Sequence, residues 1–276
     1  MKIIKHELIR AFESKNFKIS LLLSMFLGIA HYITAALPYR RYLSDALDYP
    51  EMFILPHSSF SMWMGFDGFN QHLQLFYLIA PLLACFPFSS SLFTDLKNGY
   101  AKNILCHTGR MSYCAAKFVA VFLSAGFISI VSLGVNFLLT SATFPYIGPL
   151  AGTGTLPISA ACMFSELFYS APYQYLLMFL LINFIFFGAL ASISLIVSLF
   201  ARHVYAVGIC PFLLYFIDYL ISKLLHLEKY APFYFLQPYQ PVHNGNTVFV
   251  ILFPIILLIL SFGIFMGLSR NLEALN

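Results

Sequence analysis

The run "LLMFLLINFIFFGALASISLIVSLF", Leu176–Phe200, decides the fold class. It holds no charged residue and exceeds the roughly 20 apolar residues that carry a helix across a bilayer. Inside lipid every backbone N–H and C=O must find a partner within the protein, so only helices and closed barrels cross. A barrel strand alternates apolar with polar residues, and this run shows no such alternation. An all-α membrane protein follows.

The rest of the chain agrees. Its 276 residues have a mean hydropathy of +0.83, and only 9% are charged. A water-soluble domain carries about 25% charged residues, so this chain cannot cover a water-facing surface. Six apolar stretches are long enough to span: 19–37, 71–93, 113–140, 173–200, 204–224 and 247–268. The first is too long for a cleaved leader and reads as a retained span. The net charge of +4 does not point to nucleic acid, because the basic residues lie between the spans.

Lys and Arg set the expected orientation. Arg40, Arg41, Lys223 and Lys229 fall on one side. Lys2, Lys5, Arg10, Lys15, Lys18, Lys97, Lys102, Arg110, Lys117, Arg202 and Arg270 fall on the other. The bias predicts both termini inside. Of the outer segments, 38–70 carries Trp63 with several Phe and Tyr, 141–172 has no Lys or Arg, and 225–246 is rich in Pro and aromatics. They suit short interfacial or re-entrant pieces. "GPLAGTGTLP" (Gly148–Pro157) is the clearest flexible stretch. Residues 1–276 read as one membrane domain.

The opening "MKIIKHELIRAFESKNFK" places Ile3, Ile4, Leu8, Ala11 and Phe12 on one helical face, with Lys2, Lys5, Glu7, Arg10 and Glu13 mostly elsewhere. Residues 1–18 therefore predict an interfacial helix on the inner leaflet. The most polar run, "FTDLKNGYAKNILCHTGRMSY" (Phe93–Tyr113), sits between spans two and three. Thr94 or Asp95 can cap a helix start, Gly109 can end it, and Ser112 can cap the next span. Leu96, Tyr100, Ile104 and Leu105 recur at helical spacing. A cytoplasmic helix over 94–109 is predicted, with an apolar stripe that needs a surface to cover it.

This layout resembles the permease subunit of an ATP-binding-cassette transporter of the type-2 exporter family. The run "FTDLKNGYAKNILCHTGRMSYCAAKF" is similar to that family's pattern, with Asp95, Gly99, Ile104, Leu105, Arg110 and Lys117 at matching positions. Tyr100 departs from it, standing where a small Thr-like residue is usual. The resemblance implies a coupling helix that docks on a cytoplasmic ATPase subunit through Asp95, Leu96, Gly99, Tyr100, Ile104, Leu105 and Arg110. It implies a second permease subunit, identical or not, contact with membrane lipid, and a bacterial plasma-membrane location. It implies export of an amphipathic or hydrophobic compound, an antimicrobial peptide such as a lantibiotic being the first expectation.

The chain lacks any Gly-Lys pair, hence a Walker phosphate loop, so ATP and Mg are expected in the partner and no cofactor here. Asp218, Asn136 and Asn183 are polar within spans, lining a pathway or joining helices. Pro81, Pro211 and Pro254 can kink their spans. Gly188, Ala191 and Ser192, and Gly263 with Gly267, form small-residue stripes. His57, His72, His226 and His243 show no metal-site spacing. Cys85, Cys106, Cys114, Cys162 and Cys210 read as unpaired thiols. Two rival functions remain: a non-transporting anchor or sensor that recruits a soluble partner, and an intramembrane transferase.

Overall fold

The computed structural model describes residues 2–40, 57–68, 71–149 and 158–270. The flexible stretch expected at Gly148–Pro157 falls mostly outside the described residues, as do Arg41, Asp45, Asp48 and Glu51. Every regular element described is a helix. In chain order these are α1 (Lys2–Phe12), α2 (Lys15–His31), α3 (Gln71–Cys85), α4 (Ser91–Lys97), α5 (Tyr100–His107) and α6 (Arg110–Thr143). There follow α7 (Ser165–Ser170), α8 (Pro172–Ser198), α9 (Val204–Leu224), α10 (Pro232–Phe235) and α11 (Thr247–Leu268). The axis of α2 continues through Tyr32–Ala36 and Leu37–Tyr39 as looser and tighter turns.

Five of these helices are long and apolar enough to cross a membrane: Lys15–Tyr39, Arg110–Thr143, Pro172–Ser198, Val204–Leu224 and Thr247–Leu268. The expected span 71–93 is not continuous. Helix α3 stops at Cys85 after 15 residues, and turns over 86–90 precede α4. At 1.5 Å per residue α3 is about 22 Å long, short of a hydrocarbon core of about 30 Å. Pro87 explains the break. It has no N–H to donate, and its ring disfavours helical geometry at Phe86. Pro81, by contrast, is carried inside α3, as are Pro211 in α9 and Pro254 in α11.

Helices α6 and α8 form the centre of the bundle, with α1, α2 and α3 against α6, and α3, α9 and α11 against α8. Small residues set the closest approaches. A Cβ on Gly126 would lie 2.8 Å from the Phe184 carbonyl oxygen, and one on Gly188 would lie 2.8 Å from that of Phe122. The two glycines thus make reciprocal notches for α6 and α8. Gly28 meets the Ser132 backbone in the same way, where Ser24 Oγ donates to the Ile128 carbonyl at 2.9 Å. The stripe predicted on α11 is different. Gly263 and Gly267 are exposed and face open space within this chain.

The segments expected at the rim fold back into one end of the bundle. Phe60, Trp63, Met64 and Phe66 are buried. Trp63 Nε1 donates to the Leu133 carbonyl at 2.9 Å. From the other side Leu236 enters the core, and its carbonyl accepts from Tyr77 Oη at 2.8 Å and Asn183 Nδ2 at 3.0 Å. These side-chain donors satisfy backbone that would otherwise be stranded away from water.

The notch geometry has a direct consequence. Gly188→Ala should destabilise by about 1–3 kcal/mol, because the added methyl meets both the Phe122 ring and its backbone carbonyl oxygen, which cannot swing away. Gly263→Ala should be neutral or slightly stabilising, since alanine has the better helix propensity. Denaturant unfolding in detergent micelles measures both.

Candidate functional site: a helical elbow clamped by buried charges

The polar run between α3 and α6 folds as two short helices rather than one over 94–109. Gly99 makes the elbow, with φ at 74°, a left-handed conformation that side chains resist. Asp95 does not cap a helix. It lies inside α4 and is buried. Gly109, not Ser112, occupies the N-cap position of α6.

Asp95 turns inward because three groups meet it there. Arg10 Nη2 donates to Asp95 Oδ1 at 2.9 Å, and Nη1 reaches Oδ2 at 3.2 Å. Tyr113 Oη donates to Oδ2 at 2.9 Å. Lys117 Nζ lies 2.6 Å from the same oxygen. Glu7 closes the ring, with Oε1 accepting from Arg10 at 2.8 Å and Oε2 lying 2.7 Å from Lys117 Nζ. Glu7 and Lys117 are fully buried, and the four charges sum to zero. Lys117 also lies 4.7 Å from the Phe88 ring centroid, and the Arg10 guanidinium lies 4.3 Å from that of Tyr100.

This arrangement corrects one expectation. Glu7 was expected away from the buried face of the first helix, yet with Ala11 it forms that face. Helix α1 is therefore packed on α6 by ion pairs, with Ile3, Leu8 and Phe12 half-buried against the core. Tyr100 stacks on Arg10, a large π-face over a half-buried cation.

Charge balance shows in the acidities. Burial pushes the Asp95 carboxyl up, but Arg10 and Lys117 outweigh it and hold the group below the usual carboxylate range. Burial lowers the Arg10 guanidinium, while Asp95 and Glu7 raise it further, for a net upward shift.

The seven predicted docking residues divide by exposure. Asp95 is enclosed, and Gly99 forms the elbow. Leu96, Ile104 and Leu105 are half-buried against the chain's own core. Arg110 Nη1 donates to the Arg270 carbonyl at 3.0 Å, tying the start of α6 to the end of α11. The apolar stripe is thus largely covered by the chain that carries it. What faces outward is polar: Lys97, Asn98, Lys102, Asn103, Cys106 and His107.

The three intramembrane polar residues do not share one path. Asn136 Nδ2 donates to the Gly28 carbonyl and to His31 Nδ1, each at 2.9 Å, while Oδ1 accepts from Met64 N at 2.8 Å. His31 Nε2 contacts Asp67 Oδ2 at 3.0 Å. Asn183 bridges to Leu236 elsewhere on α8. Asp218 is exposed on the outer face of α9, beside Ile217 and Leu220. Among the described residues no three His, Cys, Asp or Glu are grouped to hold a metal ion, and the five cysteines are free.

The sequence reading missed the ion cluster. Two signals for it existed: Lys117 inside an apolar run, and Glu7 and Arg10 three residues apart on one helix. No family model, curated protein or solved structure matches the chain.

Removing one member of the cluster should cost far more than removing a neutral pair. Asp95→Asn should destabilise by about 3–5 kcal/mol at pH 7, because Lys117 and Arg10 lose a buried partner. The double variant Glu7→Gln with Lys117→Met should lose less than Lys117→Met alone. A carboxyl held low in the folded state stabilises fully above the unfolded value near pH 4, and that contribution fades as pH falls through the folded one. The gap between wild type and Asp95→Asn, read from melting in detergent, should therefore narrow below about pH 4.

Proposed function

We propose that the chain is the membrane-spanning subunit of an ATP-driven exporter of the ATP-binding-cassette kind. In this reading the α4–α5 elbow faces the cytoplasm and receives a partner ATPase. The observation that carries it is the clamp. Asp95 on α4 is joined to Arg10 on α1 and to Lys117 and Tyr113 on α6. A push on the elbow therefore reaches a membrane helix through short ionic contacts rather than a compliant loop.

The docking surface is the polar rim, with Lys97, Lys102, Asn103 and His107 replacing the apolar stripe first expected. ATP binding and closure by two partner ATPases would bias the bundle between two arrangements by binding one better than the other. The poorly covered faces of α9 and α11 leave room for a second permease subunit or lipid. The cargo, an amphipathic compound such as a lantibiotic peptide, is proposed from the layout of the sequence alone. An anchor or sensor without transport would use the same rim to hold a soluble partner, so ATP turnover separates the two.

Cys106, exposed on α5, provides a native probe. A membrane-impermeant maleimide should label Cys106 in inside-out vesicles and leave it unlabelled in intact cells. A thiol crosslinker at Cys106 should capture a subunit with ATPase turnover, and Lys102→Glu should reduce that capture by about tenfold, the scale of one lost interfacial charge contact. Labelling of Cys106 from outside intact cells would sink the proposal.

A further inference from the structure

Two loops meet at the end of the bundle opposite the ion cluster, residues 158–164 before α7 and 240–246 before α11. Cys162 Sγ lies 3.3 Å from His243 Nδ1, and Ser159 Oγ lies 3.6 Å from the same sulfur. The thiol is buried just beneath the surface, and His243 is exposed beside it.

The contact is built rather than incidental. Gln240 grips the neighbouring residue twice: its Oε1 accepts from Met163 N at 2.6 Å, and its Nε2 donates to the Met163 carbonyl at 2.7 Å. Tyr175 Oη accepts from that same Nε2 at 2.8 Å and donates to the Pro238 carbonyl at 2.7 Å, anchoring the grip to α8. Asn244 N donates to the Ala161 carbonyl at 3.0 Å. A Cβ on Gly245 would lie 2.6 Å from the Met163 sulfur, so the loops are in contact there too.

Backbone strain concentrates at the same place. Of the four non-glycine residues with positive φ among the described residues, three flank this pair: Phe164 at 58°, Gln240 at 51° and Asn244 at 59°. Such conformations persist where the surroundings enforce them, and they gather at functional sites. A thiol within reach of an imidazole nitrogen is the minimal arrangement for an assisted sulfur nucleophile.

We propose that Cys162 and His243 form a nucleophilic thiol site that undergoes exchange with small disulfides. His243 Nδ1 accepts the thiol proton as Sγ attacks one sulfur of the disulfide. A new S–S bond forms to Cys162, the old one breaks, and the departing thiolate takes the proton held by His243. No external oxidant or reductant is consumed. The product is a mixed disulfide on this loop, reversed by a second thiol.

The probe is an aromatic disulfide that releases a coloured thiolate, used at pH 7 on the full-length protein in detergent. Cys106→Ser and Cys210→Ser remove the other accessible thiols, leaving Cys85 and Cys114 buried. The expected result is one equivalent released, mapped to Cys162 by peptide mass, with a rate at least matching that of exposed Cys106 in a Cys162→Ser protein. His243→Ala and His243→Gln should each slow it by at least about tenfold, the low end for a positioned base. Gln keeps a polar side chain, so a slow but folded Gln variant separates base action from packing. The proposal is overturned if Cys162 reacts only after unfolding in sodium dodecyl sulfate, or if the folded His243→Gln protein reacts at the parental rate.

Discussion

Four mutually paired charges, three of them buried and the fourth, Arg10, half-buried, constrain everything at the N-terminal end of this molecule. Each ion would cost several kcal/mol to desolvate alone, and only mutual pairing offsets that cost. Glu7, Arg10, Asp95 and Lys117 each touch both members of the opposite sign. None can leave without taking one of the two partners from each of two others. Helix α1, helix α4 and the first turns of α6 therefore behave as one body. An interfacial helix held by apolar contacts could slide on the membrane, but one held by this ring cannot.

The geometry of the ring depends on the interruption at Pro87. A continuous helix over 71–93 would carry the chain straight on past Ser89. The turns over 86–90 instead let α4 lie back against the bundle, with Asp95 toward Lys117. Ser14 holds the same corner from the other side. Its hydroxyl accepts from Phe17 N at 3.1 Å as the cap of α2, and lies 2.9 Å from the Ala11 carbonyl and 3.4 Å from that of Pro87. One small side chain thus joins the end of α1, the start of α2 and the break after α3.

Much of this architecture was legible in the sequence, and the failures have physical causes. Long uncharged runs announce helices without ambiguity, and the span predicted over 247–268 matches α11, whose start is capped by Asn246 Oδ1 accepting from Val248 N and Phe249 N. The break in span two was not foreseen because average hydropathy does not register one proline: "ACFPFSSSLF" is apolar enough to pass, yet the helix stops at Cys85, just before Pro87. The ion ring failed because pairing partners as distant as Glu7 and Lys117 leave no trace in spacing. A positive charge at the edge of a span has an ordinary topological reading, and Lys117 received it. Tyr100 and the inward turn of Ile104 and Leu105 were hidden for a related reason. An amphipathic stripe announces that it must be covered, but not whether a partner or its own chain covers it.

That last ambiguity bears on what the elbow can do. With its apolar stripe already satisfied, the elbow keeps its shape without a partner, and a partner meeting it gains little from hydrophobic burial. Recognition would fall to Lys97, Asn98, Lys102, Asn103 and His107, which are solvated and individually weak. Such a surface favours contacts that form and release readily. The clamp beneath it is the opposite, largely buried and costly to open. A rigid base under a lightly held rim suits an element that must pass on a displacement repeatedly without being remodelled by it. A stripe left bare would have made the elbow's own structure depend on being bound.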